Sequence, residues 1–275
     1  IEADNKENTI DSKDYSETVS KISTAIDELT SGSQDAVDNY NAWGAVTDLL
    51  KDKQKEFDDA KKAVNALVST DKVYVVSGKY ATEEAAIQKS IDGFKSGAET
   101  ALKEGTCVDY QTENASAINE ISTTVAAYQQ AAKDALDAYE IIVGEVANCN
   151  MAIAYLEEKV TNRSVYVYAE STDQKKVTYG DKIDGFKATI KEITTDKDEA
   201  LDLEGKEHSD KLIEVADEAY TAKVEIEGKA ETLVNSYDTD KAKYDEDVVS
   251  IALEKLLAQA TTLVEGAYGK INAYS

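Results

Sequence analysis

The sequence predicts an all-α protein built as elongated tandem three-helix bundles that share one long continuous helix, with short extended segments in the loops. Three observations carry that expectation. There is no proline in 275 residues, where the usual frequency of about 5% would supply roughly 14, and proline is the residue that interrupts helices. Apolar residues recur at alternating spacings of three and four over long stretches. Parts of that pattern return further along the chain at fixed offsets.

The helical period is clearest in the middle of the chain. Ile118, Ile121, Val125, Tyr128, Ala132, Ala135, Tyr139, Ile142, Val146, Cys149, Ile153, Leu156 and Val160 form one heptad seam. Thr112 or Asn114 is the expected cap and Asn162 the expected stop, giving a helix roughly 70 Å long at 1.5 Å per residue. An earlier helix reads through Val19, Ile22, Ile26, Leu29, Ala36, Tyr40, Trp43, Val46, Leu50, Phe57, Ala60, Val64 and Leu67, with a phase slip near Trp43 that marks a local change of supercoil. Two shorter helices lie between the long ones. Thr82 opens the first, with Ile87, Ile91, Phe94, Ala98 and Ala101 inward and Gly105 at its end. Tyr179, Ile183, Phe186, Ile190 and Ile193 line the second, which stops near Gly205. Ser209 is the expected cap of a last long helix carrying Leu212, Ala216, Ala219, Ile226, Ala230, Leu233, Tyr237, Tyr244, Val248, Ile251, Leu256, Leu263 and Ile271.

Val73-Tyr74-Val75 returns as Val165-Tyr166-Val167, and Ile91-Asp92-Gly93-Phe94-Lys95 as Ile183-Asp184-Gly185-Phe186-Lys187, both at an offset of 92. Val19 to Tyr40 matches Ile118 to Tyr139 at an offset of 99. The two offsets differ by seven, one heptad, so an insertion of two helical turns keeps the buried face in phase. Short connections make consecutive helices antiparallel neighbours, which divides the chain into an N-terminal region at 1–40, bundles at 41–138 and 139–236, and a C-terminal helix at 237–275. A helix shared by two three-helix bundles resembles the spectrin-type repeat. Trp43 stands where such repeats place a core tryptophan, whereas Ile142 takes that place in the second copy. The resemblance covers about 41–236 and implies a spacer or scaffold with partner sites on its bundle faces and no catalysis. The end segments, 12–40 and 237–272, carry apolar stripes with no obvious partner, and three expectations stand side by side: folding back on the neighbouring bundle, self-association with another copy, or continuation of a longer array.

Charge narrows the partners. With 55 acidic against 30 basic side chains, a net charge of -25 and Arg163 as the one arginine, the chain lacks the clustered cations that bind phosphate backbones. Nucleic acid is not an expected partner, and no apolar run is long enough to span a bilayer. A start at Ile1 without Met or leader fits a secreted or cell-surface protein.

Few residues invite chemistry. His208, in Gly205-Lys206-Glu207-His208-Ser209, reads as a solvated turn residue, with no second ligand or nucleophile at a recognised spacing. Cys107 and Cys149 read as free thiols, because the helix between them holds them far beyond disulfide reach. Cys107 is expected in a loop and Cys149 in the seam. Asp196, Asp198, Asp202, Glu204 and Glu207 keep an EF-hand-like count, but Leu201 stands where that loop requires Gly, so an acidic helical face is expected. No catalytic residue, cofactor or metal site is therefore expected. Asn114-Ala115-Ser116 and Asn162-Arg163-Ser164 fit the glycosylation sequon. The loops at 69–81 and 162–174, with β-branched and aromatic alternation, are the least helical parts. Tyr74, Tyr80, Tyr166 and Tyr168 on them are the candidate partner-binding residues, since tyrosine anchors recognition surfaces; the alternative is that they cover the bundle ends. The expected function is a non-enzymatic spacer, adhesin or protein-interaction scaffold. The alternative is a module that binds a small molecule, glycan or calcium.

Overall fold

Five helices and their connections make up the computed structural model, which describes residues 12–172 and 174–272, with side chains at 15–172 and 174–268. They are α1 (Ser12–Asn65), α2 (Ala81–Glu104), α3 (Cys107–Lys159), α4 (Tyr179–Asp202) and α5 (Gly205–Asn272). The expected all-α bundle is observed, and the described residues contain no strand. The N-terminal residues 1–11 and the expected seam position Ile271 lie outside the described residues or side chains. Two compact units are present. One comprises the chain up to Ala66 with Tyr80–Gln130, and the other comprises Leu67–Lys79 with the chain from Ala131 onward. α3 contributes to both.

The α3 seam is buried as its heptad predicts, from Ile118 to Val160, apart from Val146, which is half-buried. The helix starts five residues before the expected Thr112. Its first N–H groups are capped from another helix, with Asn39 Oδ1 on α1 accepting from Cys107 N at 2.6 Å and Val108 N at 3.4 Å. That cap stands 68 residues away in sequence, and the local residue of cap type is Thr106, directly before Cys107, with Asp109 three residues on. Cys107 is consequently buried against Ala42 and Ala101 rather than lying in a loop.

In the first unit, α1, α2 and the N-terminal part of α3 pack around Val46, Leu50, Phe57, Val64, Ile87, Ile91, Ile118 and Val125. The α1 stripe shifts phase where expected: Ala42 is buried and Trp43 packs on its cluster. α2 ends at Gly105, whose φ of 73° closes the helix in the left-handed region. Gly97 is required by close approach, because a Cβ there would strike the Tyr110 ring, whose hydroxyl donates to Phe94 O at 2.8 Å.

The second unit packs α4 and α5 on the C-terminal part of α3. A capping box opens α4: Thr178 Oγ1 accepts from Asp181 N, and Asp181 accepts from Thr178 N. α5 opens at Gly205, not Ser209. Ser209 is buried and its hydroxyl donates to Lys206 O at 2.9 Å. Asp196, Asp198 and Asp202 lie on α4, whereas Glu204 lies in the connection and Glu207 on α5, so the five residues do not form the single helical face expected. The α5 seam is buried from Leu212 to Tyr237 and stops there, since Val248, Ile251, Leu256 and Leu263 are exposed. α1 behaves the same way at its other end, where Val19, Ile22, Ile26 and Leu29 are exposed. At an offset of 99 these α1 positions match Ile118, Ile121, Val125 and Tyr128 on α3, all buried. One sequence pattern is thus covered on α3 and bare on α1.

Candidate interaction surface

The two tyrosine-bearing segments run as straps in the second unit, each tied by an isolated antiparallel bridge, Val68 with Val75 and Tyr166 with Thr178. In the first, Ser69 N donates to Tyr74 O at 2.9 Å and Val76 N to Leu67 O at 3.2 Å. In the second, Val167 N donates to Val177 O at 2.8 Å and Tyr179 N to Val165 O at 3.0 Å. Although the straps match in sequence, they bury opposite faces. Tyr74 and Val76 point inward in the first, whereas Val165 and Val167 do so in the second. A strand alternates faces with every residue, so a one-residue difference in register exchanges the inner and outer sets. Inside the helices the offset of 92 keeps its sense: Ile87, Ile91, Ala98 and Ala101 are buried like Tyr179, Ile183, Ile190 and Ile193.

This inversion sorts the four candidate tyrosines. Tyr74 is 3% exposed and Tyr80 1%, so neither presents a surface and both are corrected from the expectation of exposure. Tyr80 stacks edge-on against Tyr128 in the first unit, with ring centroids 5.9 Å apart. Tyr74 lies between Tyr139, centroids 4.8 Å apart, and His208, to which its hydroxyl is bonded at 2.5 Å.

His208 is likewise corrected, because it is fully buried rather than solvated. Its Nδ1 lies 2.7 Å from Ala200 O. A carbonyl only accepts, so Nδ1 carries the proton, and in a neutral ring Nε2 then accepts from the Tyr74 hydroxyl. Burial holds the His208 pKa below its usual value, and Lys79 nearby acts in the same sense. The imidazole therefore serves as a neutral structural link between α5, the end of α4 and the first strap. With both nitrogens engaged it is poorly placed for general acid-base work. No local signal announces this burial, since the neighbours of His208 are Gly, Lys, Glu and Ser.

Tyr166 and Tyr168 remain at the surface, half-buried. Their rings meet edge-on with centroids 6.0 Å apart, and Tyr166 meets Tyr244 of α5 edge-on at 5.1 Å. The Lys243 ammonium stands 4.1 Å from the Tyr168 centroid and that of Lys176 5.5 Å from the Tyr166 centroid, both within cation–π range. The Tyr168 hydroxyl donates to Asp247 on α5; burial, then Asp247, raises its pKa. Below this group Tyr179 donates to Asp240 at 2.9 Å, and Asn162 N donates to the Tyr237 hydroxyl at 2.7 Å. Among these bonds the one from Tyr168 to Asp247 ties the three-ring cluster to α5, and Tyr244, expected in the helix seam, is the third ring.

A second concavity on this unit is an open groove of about 570 Å³ between α4 and α5, floored by Ile193 and Ala222 and rimmed by Glu192, Asp196, Glu214, Asp217, Glu218 and Glu225. Glu225 on this rim is paired with Lys229, which holds its carboxyl below the usual value, and among the described residues no group of three or more His, Cys, Asp or Glu could hold a metal ion. No described helix is long and apolar enough to cross a membrane. Comparison with protein-family models, curated proteins and solved structures finds no match.

Proposed function

We propose that the chain is a non-enzymatic interaction scaffold, secreted or displayed on a cell surface, that engages a protein partner through the Tyr166, Tyr168 and Tyr244 face. The observation that carries the reading is the packing of those three rings at the surface under the Lys176 and Lys243 ammoniums. Tyrosine offers large contact area with little side-chain entropy to lose, and the mixed rim of Lys176, Lys243 and Asp247 favours a partner with polar groups. The helix common to both units supports the spectrin-like reading of a scaffold or spacer with partner sites on its faces. A glycan is the second reading, favoured by the ring edges and flanking charged groups of the same cluster.

The test immobilises the wild type beside a Tyr166→Ala/Tyr168→Ala variant of unchanged circular dichroism and screens both against extracellular-protein and glycan arrays. Saturable binding that weakens at least about tenfold in the variant supports the proposal, and the array on which it occurs separates protein from glycan. Binding that survives the double substitution, or substrate turnover by the purified chain, overturns it.

A further inference from the structure

The C-terminal part of α5 is exposed and richer in large apolar residues on one side, with Val248 and Ile251 the exposed apolar residues off that side. Val249, Leu253, Leu256, Leu257, Leu263 and Val264 are between 53% and 75% exposed. At 3.6 residues per turn they fall within about 120° of the circumference. Ala260 lies in the middle of that arc, a small residue that lets a facing helix approach closely.

Charge is distributed to match. Residues 248–264 contain one acid, Glu254, and one base, Lys255, and both fall off the apolar arc. The preceding stretch, 238–247, holds Asp238, Asp240, Asp245, Glu246 and Asp247 against Lys241 and Lys243. On a chain of net charge -25, the neutral segment is where two identical molecules can meet without like-charge repulsion. At about 25 cal/mol per Å², a fully buried aliphatic side chain corresponds to roughly 60–120 Å². Six of them give roughly 360–720 Å² per copy, so two copies that cover the whole face reach the roughly 1,200 Å² at which specific interfaces begin only at the upper part of that range.

We infer that the occupant of this face is a second copy of the chain, which contributes the same α5 segment across a two-fold axis. An isologous contact of this kind closes on itself and yields a dimer. The inference goes beyond the tyrosine face and does not depend on it.

Sedimentation equilibrium of the full chain from about 1 to about 200 µM at physiological salt tests it, because self-association follows mass action. The wild type is expected to shift from monomer to dimer across that range. Leu253→Glu/Leu256→Glu changes two exposed positions, so the helical signal stays and the association weakens at least about 100-fold. Ile22→Glu/Ile26→Glu on the exposed stripe of α1 leaves the dimer intact. A wild type that stays monomeric throughout overturns the inference, and if it then binds phosphatidylcholine vesicles the face is a membrane contact. A dimer that survives the α5 variant, or that is lost in the α1 variant, also overturns it.

Discussion

Ile22 and Ile121 sit in the same Ile-Ser-Thr tripeptide at matched heptad positions, yet Ile22 is 55% exposed and Ile121 5%. Truncating each to alanine therefore separates pattern from burial. At Ile121 the change removes buried methyl and methylene groups from the α1–α2–α3 core and leaves a cavity beside Ile118 and Val125. Large-to-small changes at such sites cost about 2–5 kcal/mol. At Ile22 the removed groups touch only their own helix, and the better helix propensity of alanine offsets part of the loss, so the change stays within about 0.5 kcal/mol. The assay is urea unfolding followed by circular dichroism at dilute protein. With a slope of about 1–3 kcal/mol per M, Ile121→Ala moves the midpoint of the first unit down by about 1 M or more, while Ile22→Ala hardly moves it. Equal shifts for the two variants would mean that Ile22 is covered as well as Ile121, against the exposure found for it.

Tyr74→Phe removes the hydroxyl bonded to His208 and leaves a buried acceptor with one bond fewer. A loss of about 1–3 kcal/mol is expected in the urea titration, and no loss would mean that the link is not made. Because the folded-state pKa of His208 is depressed from 6.5, its contribution is complete above pH 6.5 and declines as pH falls from there through the lowered folded value. His208→Gln should flatten that limb of the stability profile, and an unchanged slope would assign it to other groups. Thr178→Ala and Asn39→Ala, which remove the caps of α4 and α3, should each cost about 1 kcal/mol, measured by the same titration. Cys107 and Cys149 are both buried, and burial raises both thiol pKa values. Ellman's reagent should therefore react slowly with the native chain and rapidly with both thiols in urea.

The periodic parts of the fold were legible in the sequence and the long-range parts were not. The α3 seam could be read because thirteen consecutive heptad positions repeat one instruction over a single helix. Covering that seam is a separate matter, since α1 carries the same instruction at Val19 to Leu29 and leaves it bare. Whether a stripe is buried depends on which helices reach it, and a heptad does not encode that. The α3 start lies at Cys107 rather than Thr112, where Thr106 is a local cap-type residue as good as Thr112 or Asn114 and the bond from Cys107 N to Asn39 on another helix favours the earlier start. The α5 start was misplaced because Ser209 resembles a cap while the helix already begins at Gly205. Among the candidate tyrosines, the loops were located from their alternation, but the inner and outer sets were not. Tyr74 and Tyr166 are preceded and followed by valine in both copies, and only the register of each strap against its unit decides which one turns inward.

Hydrogen–deuterium exchange on the full chain at about 1 µM distinguishes the heptad face of α3, buried in the packed units, from the same face left uncovered at the end of α1. Amide protection follows the free energy of local opening, which is low where few apolar contacts hold a helix. Slow exchange is expected across 118–139 and fast exchange across 15–37. Protection of 15–37 equal to that of 118–139 in the same dilute sample would contradict that difference in burial.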